Sequence, residues 1–295
     1  MDTYFARHTS ELDIDQNTRN ILWENDLIAI HFPQQKGVLQ GSDNRSLDPN
    51  DYDFSGRKAI NALNRLADQG GYVCAQYHGF DDIKVGRVKE HSSIILLEGK
   101  WGNANKLEGR MAVLKTLKLS NVRHIKPYEY AYINVGRPRQ GTLMRWHSVG
   151  ERIKNIVEKR ACAVEFENLF PSQQEIMCCE FLRTSVAVTM SLPVLESLTL
   201  PIGRTMKDID FMGVSSDGKP IIAQVTHLPI ERSQWKIDQL QKYADPSGSH
   251  LLLFCDCDGI SAVGVITTIP IKQVYAKFID TDKGKRWLSN SMGTV

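Results

Sequence analysis

The stretch that most constrains the fold is Gly203 to His227, GRTMKDIDFMGVSSDGKPIIAQVTH. Its first half, Asp208-Ile209-Asp210-Phe211-Met212-Gly213-Val214, interleaves apolar residues with acids, the period of a half-buried strand. Ser215-Ser216-Asp217-Gly218 supplies a reversal, because Gly218 can take the positive φ of a tight turn. Pro220 to His227 then returns as a run of β-branched and small apolar residues, so the stretch is expected to be a β-hairpin. Strand side chains alternate faces, so Asp208 and Asp210 would share one face and Ile209 and Phe211 the other, while Gln224 and Thr226 oppose Val225. With Phe211 and Val225 in a core, Asp210, Gln224 and Thr226 would converge on one rim. A carboxylate, an amide oxygen and a hydroxyl are hard oxygen ligands of the kind Mg²⁺ or Mn²⁺ prefers.

The flanks extend the pattern. Ser172-Gln173-Gln174-Glu175 predicts a helix start, with Ser172 as N-cap and Glu175 completing a capping box, continuing through Ile176, Cys179, Phe181 and Leu182. Leu195 to Leu200 reads as a strand before the hairpin. Glu231 to Tyr243 has Trp235, Leu240 and Tyr243 near helical spacing, and His250 to Cys255 is a continuous apolar run, the mark of a buried central strand. A strand over Ala262 to Ile269, a short helix near Val274 to Phe278 and a polar end complete the chain.

Asp210 after an apolar residue, a short hairpin, and Gln224-Val225-Thr226 ending the return strand resemble the PD-(D/E)xK nucleases. The Mrr-like branch of that family carries Gln-x-Lys at the second position. The resemblance implies an α/β fold, a restriction-endonuclease-like mixed sheet flanked by helices over residues 161–295. It also implies metal-dependent cleavage of DNA (RNA being the other possibility), of a restriction or anti-phage type, by a homodimer. Asp210 and Gln224 would hold Mg²⁺ or Mn²⁺, with Glu180 as the helix-borne acid because Glu175 already serves as a cap. Thr226 stands where the family has lysine. Positive charge would then come from Lys236 or Lys242 of the following helix, or from Lys207 or Lys219, with His227 the remaining possibility. The alternative is a nucleic-acid-binding protein with a degenerate, inactive nuclease core.

The first half reads differently. Tyr4-Phe5-Ala6-Arg7 opens it, and Asn20 to Phe32 is expected to be a strand entered through a turn. Gln34 to Asp53 is a polar loop, and Ser55 to Asp68 predicts a helix capped by Ser55 and ended by Gly70-Gly71. Strands are expected at 72–77, 83–88, 114–119 and 131–135. Many short strands around one helix suggest a small β-barrel. The order of pieces, leading into Lys84-Val85-Gly86-Arg87-Val88, resembles the PUA-like modules of the EVE type. That places a recognition domain at 1–145, joined by a helical connector at 146–160. The resemblance implies inspection of nucleic acid, including modified bases, with a flipped base in an aromatic pocket. Trp23, Tyr77, His78, Phe80 and Trp101 are the aromatics on hand.

Charge points the same way. Lys100 to Arg160 holds fourteen Lys plus Arg and four Asp plus Glu, or 14 − 4 = +10, against +2 for the whole chain and hence −8 for the remainder. Such asymmetry suits a polyanion partner, with a solvated basic surface as the other reading. Arg123, Lys126, Arg137 and Arg139 are the cations assigned to phosphate.

Several classes drop out. At 295 residues the chain has room for one large or two ordinary domains. No apolar run approaches the roughly 18 residues of a membrane span, and the polar start is unlike a signal peptide, so a cytoplasmic protein is expected. The six cysteines form no CxxC pair and are expected as buried thiols rather than zinc ligands. GxSxG, GxxxxGK[ST] and HExxH are absent from the sequence.

Overall fold

The structure, a computed structural model, describes residues 1–8, 12–32, 45–102, 108–134, 136–138, 141–149, 151–160, 165–199, 208–246 and 248–292, without the side chains of 128, 130–132 and 148. The chain divides into two compact units, Met1–Ala163 and Val164–Met292, and each mixes helices with strands.

The strands of the first unit are β1 (Thr3–His8), β2 (Leu27–Ile30), β3 (Gly71–Tyr77), β4 (Ile83–Val88), β5 (Ile95–Lys100), β6 (Met111–Lys118), β7 (Ser120–Ile125) and β8 (Leu143–Arg145). Its helices are α1 (Gln16–Glu24), α2 (Phe54–Gln69), α3 (Pro127–Asn134) and α4 (Arg152–Glu158). The strands form two sheets, β7-β4-β3-β1-β8 and β2-β6-β5, where a single closed barrel was expected. In the larger sheet β1 runs parallel to β3 and antiparallel to β8. Ile60, Leu63 and Leu66 form the buried stripe of α2 and share one core with Tyr4, Val73, Ala75, Leu114 and Leu117 from both sheets.

Local chemistry explains where the boundaries depart from expectation. Asp15 caps α1 by accepting from the Thr18 amide at 2.8 Å, so Asn20 to Glu24 completes a helix and the chain turns through Asp26, at φ 56°, before β2. Asp53, rather than Ser55, caps α2 by accepting from the Gly56 amide at 2.8 Å, and Gly70 ends it at φ 65°. Residues 131–134, expected as strand, belong to α3, which Pro127 starts. The Glu129 carboxylate accepts there from the Lys126 amide at 3.0 Å. The helix expected as a connector, α4, buries Ile153, Ile156 and Val157 and packs on β3, β4 and β7, inside the first unit.

The second unit contains α5 (Pro171–Phe181), α6 (Ser185–Thr189), β9 (Leu195–Thr199), β10 (Phe211–Ser215), β11 (Pro220–Pro229), α7 (Gln234–Gln241), β12 (His250–Asp256), β13 (Ser261–Val263), β14 (Ile266–Pro270), α8 (Ile271–Ile279) and α9 (Asp282–Met292). One sheet runs β13-β14-β12-β11-β10-β9. β9, β10 and β11 are an antiparallel meander, and β11, β12 and β14 are mutually parallel. On one face Ile222, Leu251, Leu253, Cys255 and Ile266 pack with Ile237 and Leu240 of α7. The alternate residues Ala223, Leu252, Phe254 and Ile269 are as deeply buried, so the opposite face is covered too, by α5 and α8.

The capping box expected at Ser172 and Glu175 is replaced. α5 starts earlier, at Pro171, and the Phe170 amide donates to Gln173 Oε1 at 3.0 Å. The strand expected over 262–269 is a tight hairpin of β13 and β14 turned at Gly264, φ 61°, and the polar end is the helix α9. Cys74, Cys178, Cys179 and Cys255 are buried, and burial raises each thiol's pKa, that of Cys255 to about 12. Cys162 lies outside the described residues. Among the described residues no helix is long and apolar enough to cross a membrane.

Candidate functional site

The hairpin forms as its sequence requires. Phe211 pairs with Ala223, Met212 with Ile222, Gly213 with Ile221 and Val214 with Pro220. Gly218 turns it at φ 80°, and the Ser215 hydroxyl ties the turn by donating to Asp217 and accepting from the Lys219 amide at 3.2 Å. Gly213 has a different duty. A Cβ there would stand 2.3 Å from the Ser197 carbonyl oxygen, so only glycine lets β9 close on β10.

Regular alternation ends at the site itself. The strand begins only at Phe211, with Asp208 and Asp210 in a turn and bend before it. The Asp210 amide donates at 3.0 Å to the carbonyl of Ala223, the residue that already faces Phe211. Two residues thus oppose one, a bulge, and the side-chain alternation slips by one. Ile209 consequently joins the Ile222 and Ile237 cluster instead of lying with Phe211, and Asp208 and Asp210 do not share a strand face.

The bulge links the two principal residues through backbone. Asp210 Oδ2 accepts from the amide of Val225, the residue after Gln224, at 2.6 Å. Gln224 Nε2 donates to the carbonyl of Asp208, two residues before Asp210, and lies 3.4 Å from Gln239 Oε1. Gln224 is 2% exposed, and its Oε1 is buried without a hydrogen-bond partner among the described residues. Gln239, on α7, is a neighbour that sequence reading missed, because nothing in the helix distinguishes it. Thr226 is also buried, and its hydroxyl accepts from the Leu228 amide at 3.2 Å in a local turn.

The other expected residues separate. Glu180 is engaged by Arg183 at 3.1 Å and by Lys283 of α9 at 2.7 Å, which ties α5 to α9. Glu175 is relieved of its expected capping duty by Gln173. Burial pushes the Cys178 thiol up first, with the charges of Cys179, Glu175 and Asp210 adding to it. Lys236 holds its ammonium 4.9 Å from the Trp235 ring centre. Lys219 sits at the hairpin tip, 3.4 Å from Asp217, while Lys242 is exposed at the end of α7 and Lys207 lies outside the described residues. His227 is exposed and meets the Phe166 ring at 5.4 Å, on the face that Val225 shares by alternation. Among the described residues no three His, Cys, Asp or Glu side chains group as metal ligands.

In the first unit, most of the named aromatics serve packing. Trp23 stacks on Phe80 at 4.3 Å, meets Tyr77 and His124 edge-on, and has the Lys84 ammonium 4.3 Å from its centre. Tyr77 is buried and donates to the Leu27 carbonyl at 2.9 Å, and His78 is exposed. Trp101, packed on His31 at 4.3 Å, lines a cavity of about 360 Å³ with Asp15, Gln16 and Arg19.

The basic segment is similarly divided. Lys115 and Arg152 are buried. Arg123 donates to the Ile156 carbonyl at 2.8 Å, and Lys126, Arg145, Lys154 and Arg160 pair with Asp82, Asp2, Glu151 and Glu158. Arg137 donates to Gln76 Oε1 at 3.0 Å, and Arg139 lies outside the described residues. No family model matches the chain, and no curated protein and no solved structure shows significant similarity to it.

Proposed function

We propose that the second unit is a metal-dependent phosphodiesterase core acting on DNA, with the first unit contributing nucleic-acid contacts. The observation that carries this reading is the buried Gln224 Oε1. It is an acceptor without a hydrogen-bond partner among the described residues, and the amide of the next residue, Val225, holds one oxygen of Asp210. A buried polar atom left unmet costs about 1–3 kcal/mol, and a hard cation would satisfy it. The order of α5, the β9-β10-β11 meander, α7 and the parallel strand β12 supports the same reading, being the order expected from the resemblance to the PD-(D/E)xK nucleases.

Asp210 and Gln224 fit the group as oxygen donors, while Glu180, expected as the third, is held by Arg183 and Lys283. When bound, Mg²⁺ or Mn²⁺ would neutralise phosphate charge and acidify an attacking water. The Val225 amide fixes the carboxylate of Asp210, and the Asp208 carbonyl fixes the amide of Gln224 so that Oε1 stays directed away from it. In hydrolysis the water oxygen bonds to phosphorus, the bond to the leaving oxygen breaks, and that oxygen takes up a proton. Calorimetric titration with Mg²⁺ and Mn²⁺, paired with cleavage of plasmid DNA and of RNA, tests the proposal on wild type and Asp210→Asn. The variant is expected to lose about two orders of magnitude or more in cleavage, the scale for removing a central electrostatic group. Cleavage that survives the substitution would overturn the assignment.

A binding-only protein is the second reading. Thr226, at the lysine position, has its hydroxyl in a local turn, and Lys236 leans over Trp235. Retained DNA binding with no metal heat and no cleavage would favour it.

A further inference from the structure

Apart from the hairpin, the first unit holds a groove of about 730 Å³ between α2 and the end of β8. Its floor is Tyr4, and its walls carry Lys58, Asn61 and Arg65 from one side of α2 and Arg145 from β8. On the helix, positions 58, 61 and 65 fall on one face by their spacing of three and four. Leu143, Met144 and Ala62 add apolar wall. Asp68 is the only acid lining the groove among the described residues, and Asp2 pairs with Arg145, so the three cations leave a surplus of one charge.

Tyr4 supplies an independent observation. It is 0% exposed, yet its hydroxyl has no hydrogen-bond partner among the described residues. Burial first, and then Asp2, raise this phenol's pKa, against the opposing charges of Arg145 and Arg65, and Tyr4 lines the groove together with both arginines. A phenolic O–H is usually partnered when buried, because it is a donor whose burial unmet is costly. An anionic oxygen held by Arg65 and Arg145 would accept from it. Arg145 is also within 2.7 Å of Asp2, which steadies the guanidinium without filling its five donors. The size of the groove is that of a site for a small organic ligand, and its positive surplus with two guanidinium groups suits a phosphate monoester.

We propose that this groove binds the terminal phosphate of a nucleotide, either free or at the 5′ end of a strand. Arg65, Arg145 and the Tyr4 hydroxyl contact the phosphate, and Asn61 and the apolar wall face the nucleoside. The assignment rests on the first unit alone and does not depend on the reading of the second.

The test is titration of the full chain at low salt with three probes: adenosine 5′-monophosphate, a short oligonucleotide with a 5′-phosphate, and the same strand with a 5′-hydroxyl. Wild type is compared with Arg65→Gln and Tyr4→Phe. Arg65 is exposed and its loss leaves the core intact, while Tyr4→Phe removes only the unmet hydroxyl. Saturable binding of the monophosphate, weakened about tenfold in each variant, supports a free nucleotide as ligand, on the scale of one charged or neutral hydrogen bond. Binding of the 5′-phosphorylated strand alone, with the same sensitivity, supports a strand end. Equal binding of the 5′-hydroxyl strand, no saturable binding of any probe, or binding indifferent to both variants overturns the proposal. Thermal melting provides a second readout. Tyr4→Phe is expected to melt no lower than wild type without ligand, and a marked drop would mean that the hydroxyl is a structural partner instead.

Discussion

At the residue scale, burial decides what a side chain can do, and His8 shows it most directly. The ring is enclosed, its Nε2 accepts from the Ala29 amide at 2.9 Å, and burial pushes its pKa down from 6.5 to about 4. The unfolded chain therefore takes up a proton near pH 6.5 that the folded one refuses until about pH 4. Stability is expected to fall as pH drops through that window and to level off below it. The total loss would be about 3 kcal/mol, since each tenfold difference in proton affinity between the two states is worth about 1.4 kcal/mol. Urea unfolding of the full chain at several pH values checks this, and His8→Gln, which keeps an acceptor for Ala29, should flatten the profile. That Asp210 meets the backbone beside Gln224 was legible in the sequence because their spacing follows from a hairpin, while the slip in alternation at Asp210 was not. Nor was the engagement of Glu180, since it depends on Lys283, 103 residues from it along the chain.

Among the elements, short-range chemistry was readable where a strand was buried on both faces or a turn needed glycine. β12, β10 and β11 were found for that reason. Two helix starts were misplaced by about two residues, since Asp53 and Gln173 captured the first turns of α2 and α5, and α1, capped by Asp15, was missed where a strand was expected. The two hairpin glycines separate conformational from steric demand. Gly218 has a positive φ and open space around it, so Gly218→Ala should cost only about 1 kcal/mol. Gly213→Ala drives a methyl into the β9 backbone and should cost about 3 kcal/mol, the upper part of the range for overpacking. Comparable losses for the two, measured by denaturant unfolding, would contradict the steric account of Gly213.

For the whole molecule, the division into two units with separate cores was legible, while the partitioning of charge was not. A count along the chain treats every cation as available, yet among the described residues eight of the fourteen between Lys100 and Arg160 are buried or bonded: Lys115, Arg152, Arg123, Lys126, Arg137, Arg145, Lys154 and Arg160. If DNA binds through the six that remain, the slope of log affinity against log salt should be no steeper than about −5. All fourteen acting together would give about −13, at about 0.9 per phosphate neutralised. Gel shifts of the full chain across a salt series measure the slope, and a value near the larger figure would mean that the internal pairs open on binding. The extra residue at Asp210 also restricts how this chain can vary in length. Chain turns generally tolerate insertions and deletions, and the open tip at Gly218 has room for them. Loss of one residue between Asp208 and Asp210 would remove the two-against-one pairing with Ala223 and reverse the faces of every residue before Phe211. Variation in length among descendants of this sequence should therefore collect at the tip of the hairpin and spare its base.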